Sequence, residues 1–281
     1  MGWDLLIKGG MVVDGSGGKG VRADVALEGD RIAEVAADLP SVGTPVVDAA
    51  AMVVCPGFID AHAHGELEPL IEPSAASKIL GGVTTEVCGN CGFSPFPLIG
   101  PARRMTEPEA GDMNIERDWT TAAEYFDRIE KVGSAINRAF LVGHGTVKTA
   151  AGVLGKEPPS AEQAALMQRL VTQALDEGCI GMSTGLIYPP GCFSSAEEIA
   201  ELAALCARRE RIYTSHMRNE GRELLEAVEE TFDIGRRSGV RVQISHLKVS
   251  GPLNWHKIDR LEETLFSAKR AGTDFHADQY P

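Results

Sequence analysis

Along most of the chain, short apolar runs alternate with amphipathic segments in a regular rhythm. Seven runs have the composition of β-strands. They are VVCPGFIDAHA (53–63), TTEVCGN (84–90), RAFLVGHG (138–145), IGMSTG (180–185), RIYTSHM (211–217), VQISHLKV (242–249) and TDFHADQ (273–279). The last four recur about every thirty residues, the length of one βα unit. Strands that alternate with helices predict a parallel sheet whose two faces are covered.

The segments between these runs carry the start and stop signals of helices. Ser160 and Ser195 each precede an amphipathic segment and are followed three residues later by Gln or Glu, the capping-box pattern. Gly178, Gly239 and Gly272 end three of the segments, as expected for residues that leave a helix. The sequence therefore predicts helices between the last strands.

The polar residues at the ends of the predicted strands favour a barrel. A closed (β/α)₈ barrel has eight strands, whereas the chain stops at 275-FHADQYP-281, just past the seventh. An open doubly wound sheet is the alternative, but polar residues of catalytic type follow nearly every strand, which is typical of a barrel. We therefore predict an α/β fold: a TIM-type barrel over residues 56–281, incomplete at the C-terminus and truncated after about the seventh strand.

The first 55 residues have a different pattern of short strands and turns. LLIKGGMVVDG is interpreted as two apolar runs about a Gly-Gly turn, and DVALEGDRIAEVA as two more about a Gly-Asp turn. GSGGKG matches the G-x-G-x-x-G dinucleotide motif, but it leads into a strand pattern instead of a helix. We therefore predict a small β-domain over residues 1–55, with GSGGKG as a hairpin loop.

Composition excludes several classes of function. The net charge is −13 and no Lys/Arg-rich run is present, which argues against nucleic-acid binding. The N-terminus lacks the pattern of a signal peptide, and no run of about 18 apolar residues predicts a membrane span. Six cysteines in such a chain are expected to be reduced thiols. A cytoplasmic protein without membrane partners is the expectation.

Four histidines lie at or near the ends of predicted strands. In 56-PGFIDAHAHGE-66, the two-residue period of a strand places Asp60, His62 and His64 on one face. His216 and His246 each follow an apolar run and a serine at equivalent positions of neighbouring βα units. A metal ion needs convergent lone pairs, which such residues provide, although a polar barrel end is the alternative for H-x-H alone.

Two cysteines in 86-EVCGNCGF-93 form a C-x-x-C pair. Cys88 and Cys91 could be a redox pair or half of a zinc knuckle, but neither context is present elsewhere in the sequence. Cys88 lies in the apolar strand and is expected to be buried. Cys91 lies beyond Gly89, where the strand gives way to a loop, so that its thiolate would be a strong zinc ligand. A loop thiol without a ligand is the alternative.

Together these motifs resemble one family. PGFIDAHAH, GVTTEVCGNCG, TSHMRNE and ISHLKV are similar to the amidohydrolase superfamily, and more narrowly to its D-aminoacylase (N-acyl-D-amino-acid deacylase) group. GNCG and SHMR-E are more specific than H-x-H, and STGLIYPPG (183–191) and DQYP (278–281) fit the same group. The resemblance runs the length of the chain. It implies a metal-dependent barrel beside a small β-sandwich, of which residues 1–55 supply the first part.

The resemblance also implies a ligand set. Cys91, His216 and His246 match the ligands of a tightly held Zn²⁺. His62 and His64 match a second, weaker position, which Cys91 bridges in place of the carboxylated lysine of many related amidohydrolases. No lysine before His216 stands at a predicted strand end, in agreement with that replacement.

Three further residues are implied to contact substrate. Lys248 resembles the family's contact to the substrate carboxylate and shares a face with His246 if the strand continues. Tyr188 and Tyr280 lie in motifs that line the same pocket, with packing at the barrel rim as the alternative. The implied activity is zinc-dependent hydrolysis of N-acyl-D-amino acids, small molecules that would yield a carboxylate and a D-amino acid.

One residue of the family's machinery is missing. The catalytic aspartate of the family follows the eighth strand, so its equivalent is expected beyond residue 281, and Asp278 of DQYP is not assigned as the base. Residues 1–281 alone are therefore expected to be inactive. The alternatives are a cyclic-amide hydrolase of the dihydroorotase or hydantoinase type, which GNCG disfavours, and an inactive metal-binding scaffold or fragment.

Overall fold

The chain divides into two compact units. The structure is a computed structural model that describes residues 2–105 and 115–280. The units are Met1–Phe58 and Ile59–Pro281. The boundary predicted from the sequence, after residue 55, lies close to this division.

The first unit is a five-stranded sheet. Its strands are β1 (Leu5–Val12), β2 (Val21–Glu28), β3 (Arg31–Ala36), β4 (Val46–Asp48) and β5 (Val53–Val54). β1–β2 and β2–β3 are antiparallel hairpins, while β4 and β5 pair in parallel with β1. The Gly-Asp turn between β2 and β3 is confirmed. The GSGGKG segment joins β1 to β2, with Val12 paired to Val21, so it is the hairpin loop that its sequence context predicts.

The predicted Gly-Gly turn is wrong. β1 passes through Gly9 and Gly10 as one strand, with a register shift between Ile7 and Gly10. The shift is a bulge in which Gly9 has a φ of 74°, a value that glycine adopts without strain. The buried carboxylate of Asp24 accepts the Gly9 amide at 2.6 Å and the Leu39 amide at 2.9 Å. A side chain on the neighbouring strand therefore holds the bulge.

The second unit contains a seven-stranded sheet in the order β12-β11-β10-β9-β8-β7-β6. The strands are β6 (Phe58–Asp60), β7 (Val83–Cys88), β8 (Asn137–Gly143), β9 (Gly181–Gly185), β10 (Ile212–His216), β11 (Arg241–Ile244) and β12 (Phe275–Ala277). The pairs from β7–β8 to β11–β12 are parallel. Each predicted strand is present, but the first run divides between β5 of the first unit and β6.

Helices connect these strands. They span Glu68–Ile71, Ala76–Leu80, Ala122–Val132, His144–Ala150, Ala161–Asp176, Ala196–Ala207, Leu224–Ser238 and Ile258–Arg270, with 3₁₀ turns at Gly191–Phe193 and Pro252–Lys257. Ser160 and Ser195 cap their helices by accepting the amide three residues on. Gly239 ends its helix with a φ of 73°. The predicted start and stop signals are confirmed. Within residues 2–105 and 115–280, no helix has both the length and the apolar character needed to cross a bilayer.

The sheet of the second unit is strongly curved. β6 and β12 are its two edge strands, yet His62 Nδ1, just after β6, lies 3.2 Å from Asp278 Oδ1, just after β12. Edges of an open, doubly wound sheet are far apart, whereas strand tilt and curvature bring them together in a barrel. The carboxyl ends of all seven strands therefore surround one small region.

A buried polar cluster lies behind β8 and β9. Lys148, which is almost fully buried, donates to Ser194 Oγ at 2.7 Å and to Glu198 Oε1 at 3.0 Å. His144 Nε2 lies 3.2 Å from the same Glu198 oxygen. Burial raises the pKa of Glu198, but the contacts with His144 and Lys148 outweigh it and lower the pKa to about 2. The Lys148 ammonium is therefore held in this cluster by its contacts with Ser194 and Glu198.

We predict that Glu198→Gln lowers the free energy of unfolding by about 3 kcal/mol at neutral pH, because it leaves a buried ammonium unpaired. The carboxylate's pKa is about 2 in the folded chain and 4.5 ordinarily. Its stabilising effect is therefore complete above pH 4.5 and is lost as the pH falls towards 2. Urea unfolding of wild type and variant across this range should show the difference shrinking in acid.

Glu197→Gln is the matched control, since Glu197 is the exposed neighbour on the same helix and pairs with Arg237. It should unfold like wild type at every pH. If both variants behaved alike, the cluster around Lys148 would not stabilise the fold as described.

Candidate metal centre

Five side chains converge at the carboxyl ends of the strands. Cys91 Sγ lies 3.3 Å from His62 Nε2 and 3.7 Å from His246 Nε2, which in turn lies 3.0 Å from His216 Nδ1. Two groups have all their donor atoms within 4.8 Å of one another: Cys91 with His216 and His246, and Cys91 with His62 and His64. The structure thus brings together every predicted ligand, with the thiol common to both groups.

A loop, not a strand, positions His62 and His64. β6 ends at Asp60, so the expected alternation of side chains on one strand face does not extend to the two histidines. Asp60 instead forms a 2.6 Å ion pair with Lys78. The two imidazole rings lie edge to face with centroids 5.3 Å apart. Their convergence results from the turn after β6, which a two-residue period does not describe.

The GNCG motif forms a tight left-handed turn that presents Cys91. Cys91 has a φ of 54°, uncommon for a residue with a side chain. Gly89 and Gly92 have φ values of 80° and 81°, and a Cβ at Gly92 would lie 2.7 Å from the amide nitrogen of Gly185. A side chain at Gly89 would collide with the carbonyl oxygen of Leu141. Both glycines are therefore required for the turn to lie against β8 and β9.

His246 is a second site residue with a left-handed backbone conformation. β11 ends at Ile244 and His246 has a φ of 37°, so the strand does not continue to Lys248, contrary to the condition set from the sequence. Lys248 nevertheless returns to the same site, because its Nζ lies 3.3 Å from His246 Nδ1 and donates to the His246 carbonyl. Backbone strain at Cys91 and His246 fits residues whose positions serve a function.

The environment favours a thiolate at Cys91. Burial raises the pKa of this thiol, but hydrogen bonds from the surrounding imidazoles outweigh burial and lower it to about 3. Burial raises the pKa of Cys88 to about 12, and its thiol turns to Glu86 at 3.3 Å. All six cysteines are free. The C-x-x-C motif is therefore two unlike thiols, a buried neutral one and a reactive one, and the redox-pair interpretation is not favoured.

The pKa values of two of the imidazoles, His64 and His246, shift in the opposite sense. Hydrogen bonds to Cys91 and Glu66 raise the pKa of His64 to about 10. For His246, burial lowers the pKa, but the contacts with Cys91 and Glu220 prevail and raise it to about 9. A soft thiolate with convergent imidazole nitrogens is the donor set that Zn²⁺ prefers. The residues present therefore fit a zinc ion, which would replace the protons now shared among them.

Carboxylates stand behind three of the four imidazoles. Asp278 lies 3.2 Å from His62 Nδ1, Glu66 lies 3.6 Å from His64 Nδ1, and Glu220 lies 2.7 Å from His246 Nδ1. Sequence reasoning assigned no role to these carboxylates. Glu220 belongs to the family-like motif SHMR-E and Asp278 to DQYP. Their place in these motifs is the sequence signal that could have identified them. The histidine that each carboxylate contacts is visible only in the folded structure.

The residues implied to contact substrate border the same region. Lys248 Nζ lies 5.3 Å from the ring centre of Tyr280. The Tyr188 ring meets that of His216 edge on, with centroids 4.9 Å apart. Both tyrosines are substantially exposed. Beside His64 a cavity of about 600 Å³ extends past Phe93, a size suited to a small molecule.

Comparison with known proteins identifies the relatives. The chain is 39% identical over 284 residues to D-aminoacylase of Alcaligenes xylosoxydans xylosoxydans, covering 99% of this chain and 57% of the relative. It is equally identical over 280 residues to an N-acyl-D-glutamate deacylase of the same organism. Over its whole length the chain is homologous to D-aminoacylase and to related N-acyl-D-amino-acid deacylases. It spans little more than half the length of these curated relatives, and no protein-family model matches it.

Solved structures agree with this assignment. The crystal structure of N-acyl-D-glutamate deacylase from Bordetella bronchiseptica, complexed with zinc and a phosphonate inhibitor, superposes with a TM-score of 0.91 at 34% identity. It matches 100% of this chain, which spans 59% of that one. The L-hydantoinase of Arthrobacter aurescens, with a TM-score of 0.63 at 18% identity, shares the fold alone. The predicted barrel and family resemblance are confirmed, and the D-aminoacylase family is favoured over cyclic-amide hydrolases.

We predict that Cys91→Ala removes most of the zinc that the purified protein retains, about one tight equivalent per chain in wild type, because both donor groups lose their shared thiolate. Cys88→Ala is the control, since its thiol is also buried but turned away towards Glu86. Elemental analysis after dialysis should separate the two variants. Unchanged zinc in Cys91→Ala would contradict the assignment.

Proposed function

We propose that the complete protein carrying this chain is a zinc-dependent deacylase of N-acyl-D-amino acids. The observation that carries the proposal is the convergence of one thiolate and four imidazoles at the mouth of the barrel. Homology supports the reaction class and the D-configuration of the substrate, since the relatives are a D-aminoacylase and deacylases of N-acyl-D-glutamate and N-acyl-D-aspartate.

Cys91, His216 and His246 would hold the tight zinc ion. This group is buried throughout, whereas the group with His62 and His64 includes an exposed imidazole. Burial excludes competing water and favours retention of the ion, so we assign the second group to a weaker position. A bound Zn²⁺ supplies Lewis acidity towards the amide carbonyl of a substrate.

The chain's own side chains would orient the substrate. Lys248, whose Nζ lies 3.3 Å from His246 Nδ1, would pair with the substrate carboxylate and so fix the amide relative to the metal position. Tyr188 and Tyr280 would line the entrance, where their exposed rings exclude water from one side of the substrate.

Asp278 is not positioned as the proton-transferring base. Its Oδ1 accepts the His246 amide at 2.5 Å and its Oδ2 accepts Gln243 Nε2 at 2.9 Å. Burial raises the pKa of this carboxyl, but its contacts with His62 and Gln243 lower it below the ordinary value. Because the Asp278 carboxylate already accepts these hydrogen bonds, it stabilises the loop and is a poor acceptor for a proton from water.

The test is a substrate panel with the zinc-loaded, complete gene product. N-acetyl derivatives of D-amino acids, their L-enantiomers, hydantoins and dihydroorotate are compared by release of free amine or by ring opening. Turnover of the N-acetyl-D-amino acids is expected to exceed that of the others. Preferential opening of cyclic amides would instead identify a cyclic-amide hydrolase, and absence of all turnover would favour a scaffold.

We predict that Lys248→Met raises the KM for an N-acetyl-D-amino acid by roughly tenfold or more, the value of a hydrogen bond to a charged group. The methionine retains the apolar stem and removes the charge. The control is the carboxamide of the same substrate, for which the variant and wild type should have similar KM values. An equal effect on both substrates would show that Lys248 does not bind the carboxylate.

A further inference from the structure

We propose that Glu220 is a positioning residue for the metal centre: it holds His246 in the orientation and tautomer that direct Nε2 to the metal position, and it keeps Lys248 beside that imidazole. The inference rests on the proposed zinc centre. It concerns a residue whose side chain belongs to neither of the two converging donor groups.

Glu220 contacts two functional side chains at once. Its Oε1 lies 2.7 Å from His246 Nδ1 and its Oε2 lies 2.5 Å from Lys248 Nζ. The side chains of Glu220 and His246 are only 13% and 11% exposed, so water screens the pair little. One carboxylate therefore links a predicted metal ligand to the predicted contact for the substrate carboxylate.

The competition between Glu220 and Lys248 for His246 Nδ1 decides the tautomer. Lys248 Nζ lies 3.3 Å from this nitrogen, close enough to donate to it. An imidazole that accepted this bond at Nδ1 would carry its proton on Nε2, the nitrogen that faces Cys91 and His216. Glu220, as an acceptor, instead requires the proton on Nδ1 and leaves the Nε2 lone pair for a metal.

The loop that carries Glu220 is held in place from several directions. The backbone carbonyl oxygen of Glu220 accepts a hydrogen bond from the Ser250 amide at 2.7 Å. Asn219 Oδ1 accepts the amides of Gly221 and Glu223, and Lys257 Nζ donates to the Gly221 carbonyl at 2.9 Å. A carboxylate on a braced loop can fix the ring that it contacts, as an outer partner of a metal ligand must.

The experiment measures zinc affinity at neutral pH by competition with a chromophoric chelator, using the complete protein without substrate. Glu220→Gln retains a weaker acceptor and should lower the affinity about 10-fold, within the roughly 10- to 100-fold range for partners of ligand histidines. Glu220→Ala leaves Lys248 as the polar neighbour of Nδ1 and should lower the affinity further. Thermal unfolding of the metal-free proteins verifies that each variant folds.

Glu230→Gln is the matched control. Glu230 is a partly buried carboxylate that pairs with Arg218 at 2.9 Å, so this variant removes the same charge without touching a predicted ligand. It should bind zinc like wild type. Zinc affinities of Glu220→Gln and Glu220→Ala within twofold of wild type, or an equal loss in Glu230→Gln, would overturn the proposal.

This readout separates the inference from the function on which it rests. Zinc affinity is measured without turnover, so a loss in the Glu220 variants supports the positioning role whatever the substrate panel shows. A wild-type protein that bound no zinc would contradict the proposed function itself. Wild-type binding with unaffected Glu220 variants would contradict the positioning role alone.

Discussion

The site depends on one left-handed turn. The GNCG segment places Cys91 where the carboxyl ends of the strands meet, and two glycines allow the turn to press against the backbones of β8 and β9. The Cys91 thiol lies there beside imidazoles that β6, β10 and β11 bring to the site. The imidazoles lower the pKa of the Cys91 thiol, and the thiolate in turn raises the pKa of His62, His64 and His246, so the protonation of these four residues is coupled.

Around this unit, loops supply what the strands do not. The sheet brings strand ends together, but His62, His64 and Lys248 reach the site only after their strands have ended. Carboxylates at the outer nitrogens of three imidazoles then restrict how the rings can turn. The barrel thus sets the approximate position of each donor, and the loops set its direction, a division of roles common in barrels of this kind.

Sequence reasoning recovered the strands and the capped helices, since these depend on periodicity and caps within short windows. The five converging residues were indicated by residue type together with the family resemblance. It was wrong where a distant side chain decides the backbone: Asp24 converts the expected Gly-Gly turn into a bulge. It also carried a strand's alternation past Asp60, where the chain already turns. Glu220 was visible within its motif, but its partner 26 residues away in sequence, His246, is defined only by the folded loops.

The curvature that brings His62 against Asp278 joins donors that are far apart along the chain and are therefore synthesised at different times. The donors near β6 and β7 leave the ribosome first, and 155 residues separate Cys91 from His246. At ordinary rates of translation that interval is roughly 8–30 s. During it the nascent chain displays a thiol and two imidazoles without the histidines that complete the buried group. The more exposed donor set is thus available to ions first, and the deeper one only once the last strands have closed around it.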